Sequence, residues 1–213
     1  MYSVAIYDSK RYDGWLTKFN QFIAIWFFLA PFYYLIRTVK IYGKGNIPKD
    51  KKPFIVMPNH LSNLDPPLMS TVLNVPIAWM AKKELYSVPL IGFLITILGA
   101  FSVDREKVGK ITIKATKQIL EKNWCLGIFL EGTRNKTPGI LQNPNLGPAY
   151  ISNLTNVPIL PVGILGTNKR FGKITVRIGK LFYPDRDLET ARWQCAEKLA
   201  ELTGFKMPPR TDT

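Results

Sequence analysis

The sequence predicts an α/β fold on two observations. Short apolar runs of strand length recur along the chain, and segments of helical periodicity fall between them. A third observation, an uncharged aromatic stretch ahead of the first strand, predicts a helical segment preceding that domain. The 213 residues suffice for one domain with an appendage. Chains of this size bury roughly 70% of their unfolded surface, so no disulfide or metal staple is required.

Taken in order, residues 1–18 carry Asp8, Lys10, Arg11, Asp13 and Lys18 with no apolar core, which does not read as a cleavable signal peptide. Phe22–Ile36 (FIAIWFFLAPFYYLI) contains no charge. It is shorter than the roughly 20 apolar residues a bilayer span needs, and Pro31 interrupts it. Its rings suit the headgroup boundary, and Lys18, Arg37, Lys40 and Lys44 flank it as cations for anionic lipid heads. The expectation is a membrane-embedded or interfacial helical anchor.

Strands are predicted at Val39–Tyr42, Phe54–Met57, Ile77–Met80, Cys125–Leu130, Val157–Val162 and Ile174–Ile178. The last alternates Ile174, Val176 and Ile178 inward with Thr175 and Arg177 outward. Leu85–Val103 is uncharged and long enough to mimic a membrane span, but Pro89, Gly92 and Gly99 break it. A buried loop–helix–strand segment is expected there. Val108, Ile111, Ala115 and Ile119 recur at helical spacing, with lysines 107, 110, 114, 117 and 122 around them. A closing helix starts after Asp187, a suitable N-cap, and stops at Gly204.

Charge narrows the partners. Lys and Arg number 29 against 15 Asp and Glu, a net charge of +14. That excess predicts an anionic partner: nucleic acid, an anionic membrane face or phosphorylated substrates. The aromatics cluster near the N-terminus instead of interleaving with the basic residues as a nucleic-acid surface requires, so no nucleic-acid partner is expected. Two cysteines, Cys125 and Cys195, form no CxxC pair. A zinc ribbon, an iron–sulfur cluster and a disulfide scaffold are set aside, no metal is expected, and a reducing compartment fits.

His60 is the sole histidine. It follows the predicted strand Phe54–Met57 in Asn59-His60-Leu61-Ser62-Asn63-Leu64-Asp65-Pro66-Pro67, at a strand end where α/β folds carry reactive groups. On one helix His60 and Asp65 would point about 140° apart. With His60 in a loop and Asp65 opening a helix marked by Pro66 and Pro67, the carboxylate can fold back to the imidazole. Capping the helix is the competing role for the same oxygens. A histidine held by a carboxylate is a general base. With no GxSxG and no cysteine nearby in sequence, the nucleophile is expected to be a substrate hydroxyl. A second constellation, Gly127-Ile128-Phe129-Leu130-Glu131-Gly132-Thr133-Arg134, ends an apolar strand in a turn. Arg134 at its tip offers a forked donor suited to phosphate, with a solvated turn arginine as the alternative. Lys82, Lys83 and Arg105 also follow apolar segments.

NHLSNLD resembles the NHxSxxD box of the 1-acylglycerol-3-phosphate (lysophosphatidate) acyltransferase family of glycerolipid acyltransferases. FLEGTRN is similar to that family's FPEGTRS, GAFSVDR to its acceptor-binding segment, and VPILPV at Val157–Val162 to its fourth box. The four boxes run in family order over residues 59–162; Leu130 replaces the usual proline, Asn135 the usual serine, and no lysine precedes Gly147.

The resemblance implies a central, mostly parallel sheet flanked by helices, with residues 1–38 as an N-terminal membrane-associating helical segment and 39–213 as the acyltransferase domain. It implies a membrane-associated O-acyltransferase acting at the cytoplasmic face. His60 would take the proton from the acceptor hydroxyl and Asp65 would orient it. Arg134, Glu131, Gly132, Thr133, Arg105 and Lys83 would form the acceptor's phosphate site. The implied reaction moves an acyl group from an acyl-CoA or acyl carrier protein thioester to lysophosphatidate, giving phosphatidate, without a further cofactor. Other lysophospholipids or glycerol-3-phosphate stay open as acceptors. A non-catalytic lipid-binding protein is the remote alternative.

Overall fold

The computed structural model describes residues 9–31, 37–50, 52–103 and 110–210. Its strands are β1 Val39–Tyr42, β2 Ile55–Pro58, β3 Ile77–Lys82, β4 Phe101–Val103, β5 Cys125–Gly127, β6 Ile159–Leu165 and β7 Ile174–Ile178. They form one sheet in the order β1-β7-β6-β2-β5-β3-β4. Each recorded pairing is parallel except β6 with β7. Helices are α1 Trp15–Ile23, which continues as a π-helical stretch Ala24–Leu29, then α2 Asp65–Leu73, α3 Pro89–Ile97, α4 Lys110–Glu121, α5 Gly147–Thr155 and α6 Leu188–Thr203.

Alternate side chains of each strand feed opposite faces, and both faces are covered, as parallel sheets require. Ile55, Met57, Leu126 and Ile159 pack under Ala115 and Ile119 of α4, Ile151 of α5 and Leu199 of α6. Val56, Trp79, Leu160 and Val176 pack with Leu68, Met69 and Val72 of α2. Strand β7 shows the expected alternation, with Ile174, Val176 and Ile178 buried. Helix α6 is capped as read from the sequence: Thr190 N–H donates to Asp187 Oδ2 at 2.8 Å, and Gly204 ends it at φ +74°. Cys125 and Cys195 are both buried and free, and burial pushes each thiol up to about 12.

Several elements differ from expectation. Strand β5 ends at Gly127, not Leu130, and glycine is required at that position, where a Cβ would sit 2.3 Å from the Trp79 indole. Ile128 N–H and Leu130 N–H still donate to Val56 O and Pro58 O, so this stretch stays laid along β2. Leu85–Val103 has the expected order, a 3₁₀ turn Lys83–Ser87, then α3 and β4; β4 is buried as expected, but the turn and much of α3 are not. Leu90 and Phe93 are 70% and 62% exposed, since the core accepts only one side of α3. On α4 the buried residues are Ala115, Thr116, Ile119 and Leu120, whereas Ile111 is exposed; Val108 lies outside the described residues. Helix α5, which no periodicity announced, opens on Gly147-Pro148, with proline in the first turn.

The N-terminal segment is tied into the domain. Tyr12 packs edge-on against Trp124 at 5.1 Å and donates to Gly99 O at 2.9 Å. On α1, buried Gln21 donates to Ile77 O and Leu98 O and accepts from Ile77 N–H. The opposite side of α1 shows Trp15, Phe19, Phe22 and Trp26 to solvent at helical spacing. Residues 32–36 of the expected anchor lie outside the described residues. Two of its expected lipid-facing cations are engaged elsewhere. Arg37 is buried and donates to the carbonyls of Gly166, Lys169 and Gly172, while Lys18 approaches Lys122 O and the Trp124 ring.

Candidate active site

Parallel strands bring their carboxyl ends to one edge of the sheet, where α/β folds place their sites. His60 leaves β2 at that edge, the Glu131 loop leaves β5, and Lys83 leaves β3. Asn59 locks the end of β2 to β6 by a reciprocal pair: its Nδ2 donates to Ile164 O and its Oδ1 accepts from Ile164 N–H.

His60 is fixed at four points. Its backbone N–H donates to Glu131 Oε2 at 2.8 Å, and its carbonyl accepts from Asn135 N–H at 2.6 Å. Its ring stacks on Phe129 at 3.9 Å and 18°, and Phe129 stacks in turn on Trp79. Its Nδ1 lies 2.9 Å from Asp65 Oδ2. A carboxylate only accepts, so this contact selects the tautomer with the proton on Nδ1 and leaves Nε2 as the basic nitrogen. Among the described residues no hydrogen bond engages Nε2. The imidazole side chain is 12% exposed.

Asp65 is the first residue of α2, not its N-cap, so the competition between capping and holding His60 does not arise. Its Oδ2 gathers the Leu61 and Ser62 amides at 2.6 and 2.7 Å as well as Nδ1. Its Oδ1 is buried and lacks a hydrogen-bond partner.

Glu131 turns inward and acts on the shape of the loop. Its side chain is buried and both oxygens are filled, Oε2 by His60 N–H and Oε1 by Asn135 Nδ2 and Gln142 N–H. Burial pushes its carboxyl above the ordinary range, and these hydrogen bonds pull the other way. Glu131 thus stitches the β5 loop to the backbone of His60. Asn135, at the position of the usual serine, completes the stitch through its own amide and a bond to Ile140 O. Unlike Asp65, Glu131 has no vacant oxygen, so Glu131→Gln must set an amide N–H against another donor. We expect a stability loss of about 1–3 kcal/mol and a kcat loss of roughly 10–100-fold from the displaced imidazole. Thermal melts and steady-state kinetics check both; an unchanged kcat in a folded variant would remove the positioning role.

Gly132 sits at φ +66°, where a Cβ would meet Asn145 Nδ2 at 2.7 Å, so both the turn and the close approach demand glycine. Thr133 Oγ1 donates to Gln142 Oε1. Arg134 is exposed and, among the described residues, makes no ion pair; Asn135, next in the chain, is bonded to His60 O, so Arg134 leaves the loop beside the histidine. Lys83 is exposed at the start of its 3₁₀ turn, two strands over from His60. Arg105 lies outside the described residues. A cavity of about 400 Å³ adjoins the stack, lined by Met80, Val103, Ile128, Phe129, Gly132 and Leu146 among others. Sequence reasoning missed Phe129 and Asn135 as parts of the site; their only trace was membership of the FLEGTRN run.

Comparisons with known proteins bear on the family of the chain. A family model described as acyltransferase matches residues 38–165. A 1-acyl-sn-glycerol-3-phosphate acyltransferase from Bacillus subtilis is 30% identical over 171 residues, covering 78% of this chain and 82% of that protein. One from Borreliella burgdorferi is 31% identical over 62% of this chain, which spans 52% of that longer protein. The crystal structure of the 1-acyl-sn-glycerophosphate (LPA) acyltransferase PlsC from Thermotoga maritima superposes with a TM-score of 0.71 at 25% identity, covering 92% of this chain and 82% of that one.

Proposed function

This chain belongs to the 1-acyl-sn-glycerol-3-phosphate acyltransferase family, and on that premise we propose that it acylates lysophosphatidate from an acyl thioester with His60 as general base. The observation that carries the reading is the Nδ1–Asp65 contact at 2.9 Å, which leaves Nε2 basic at the carboxyl edge of the sheet. The acceptor hydroxyl oxygen attacks the thioester carbonyl carbon while its proton passes to Nε2. Asp65 stabilises the imidazolium so formed. On collapse the carbon–sulfur bond breaks, and the imidazolium gives the proton to the departing thiolate. The products are an ester, phosphatidate, and a free thiol. The cavity lined by Phe129 supports this reading with apolar space for a lipid against the ring on which the imidazole stacks.

Arg134 is assigned to the acceptor phosphate. Arg134→Ala is expected to raise the KM for lysophosphatidate roughly tenfold or more, as loss of a charge-assisted contact made in the ground state. A change confined to the donor KM would reassign it. The assay of purified protein with lysophosphatidate and each thioester type tests the reaction itself. Absence of phosphatidate with both donors would refute it.

We assign the membrane contact, at the cytoplasmic face, to α1 and α3 together. The two helices pack on each other, and together with the π-helical continuation of α1 they expose Trp15, Phe27, Leu90 and Phe93. An apolar patch of this kind marks an interaction surface, and its aromatic share fits the headgroup zone. No helix of the described residues is long and apolar enough to cross a membrane. Flotation with phosphatidylglycerol vesicles is expected to recover the protein, and Phe27→Glu combined with Phe93→Glu to leave it unbound. Equal flotation of the two would exclude this surface.

A further inference from the structure

A second cavity opens at the same edge of the sheet, at the opposite flank of His60 from α3. Its volume is about 820 Å³, and Leu61, Asn135, Lys136, Lys169, Phe171 and Lys173 are among its walls. Leu61 follows His60 in the chain and Asn135 N–H is bonded to His60 O, so the cleft borders the backbone of residue 60. One wall is the β6–β7 connection, and β6 neighbours β2 on one side while β5, β3 and β4 lie on the other.

Its charge is uniform. Lys136, Lys169 and Lys173 are exposed, none makes an ion pair among the described residues, and no lining residue is acidic. Beneath the connection lies the buried Arg37 guanidinium, satisfied by three carbonyls and, among the described residues, by no carboxylate. Those bonds hold the lysine-bearing loop in place and leave a whole positive charge under it. Low-dielectric walls of one sign concentrate an anionic ligand.

We propose that this cleft receives the phosphate-bearing pantetheine arm of the acyl donor. The inference rests on the thioester reading above and adds where the donor enters. The two substrates differ in character, and so do the two flanks of His60. The lipid acceptor fits the apolar side, where α3 precedes the edge strand β4. The polar, phosphorylated donor fits the lysine cleft beside β6 and β7. Each then delivers its reacting atom to the imidazole between them.

The test reverses the three lysines together (K136E, K169E, K173E) and, separately, three exposed lysines on α4 (K110E, K114E, K117E), which make the same change in net charge. Kinetics are measured with acyl-CoA and with an acyl carrier protein thioester, and free CoA is titrated calorimetrically as a readout independent of turnover. Reversal in the cleft is expected to raise the KM of the donor that turns over, and the Kd of CoA, by roughly tenfold or more, with the lysophosphatidate KM unmoved. The α4 variant is expected to match wild type, and pantetheine lacking phosphate to bind neither. The single changes K136Q, K169Q and K173Q supply the same comparison if the triple variant melts early. A rise in the lysophosphatidate KM instead, an equal effect of the α4 variant, or no CoA binding by wild type would overturn the proposal. Cleft-dependent CoA binding by a protein that makes no phosphatidate would leave the cleft standing and refute the acceptor assignment alone.

Discussion

Replacing His60 by alanine is expected to lower acyl transfer by roughly 10²–10⁴-fold while the protein stays folded. The backbone contacts of residue 60 survive the change, because the bonds to Glu131 and Asn135 use its amide and carbonyl, not its ring. What disappears is the basic nitrogen, the Nδ1 contact with Asp65 and the stack on Phe129. Losing one partly exposed ring face costs little stability compared with a buried cavity mutation. Circular dichroism melts and product assays on the same preparation separate folding from chemistry. A variant that keeps more than a few per cent of wild-type activity would refute the assignment of the base.

Asp65→Asn is expected to act differently from Asp65→Ala, for a reason visible in the carboxylate. All three donors converge on Oδ2 while Oδ1 has no hydrogen-bond partner. An asparagine can seat its oxygen in the Oδ2 position and turn its amide into the vacant one. The Leu61 and Ser62 amides and the Nδ1 proton then remain satisfied and the tautomer is kept. Only the charge that steadies the imidazolium is gone. A kcat loss of roughly 10²–10³-fold with little change in either KM follows. The buried amide N–H groups without partners cost about 1–3 kcal/mol of stability. Alanine would instead leave two loop amides and Nδ1–H without an acceptor, loosening the loop and raising KM as well. An asparagine variant as active as wild type would show that Asp65 serves the loop and not the chemistry.

How much of this was legible before the structure differs from residue to residue. The outer strands were readable because their side chains alternate between core and solvent, so Val39–Tyr42 and Ile174–Ile178 match their observed bounds. The meeting of His60 and Asp65 was readable because strand end, loop and proline-marked helix start leave the carboxylate one direction to fold. The inward turn of Glu131 was not, since a loop residue has no periodicity to say which way it points. Arg37 and the exposed side of α3 failed for a related reason. Composition makes a cation beside an aromatic stretch look lipid-facing and an uncharged run look buried, whereas packing partners distant in sequence decide both. The lysine cleft joins the loop after β5 to the β6–β7 connection across the intervening strand β2, and only the fold brings them together.

The central claim is that the acyl group passes directly from thioester to a substrate hydroxyl deprotonated by His60. The most direct measurement is thiol release with the enzyme in excess over an acyl thioester, before and after lysophosphatidate is added. The account predicts no thiol burst from the donor alone, then release matched one for one by phosphatidate when the acceptor arrives. A burst stoichiometric with enzyme in the absence of acceptor would mean that the protein itself carries the acyl group, and would contradict the assignment of His60.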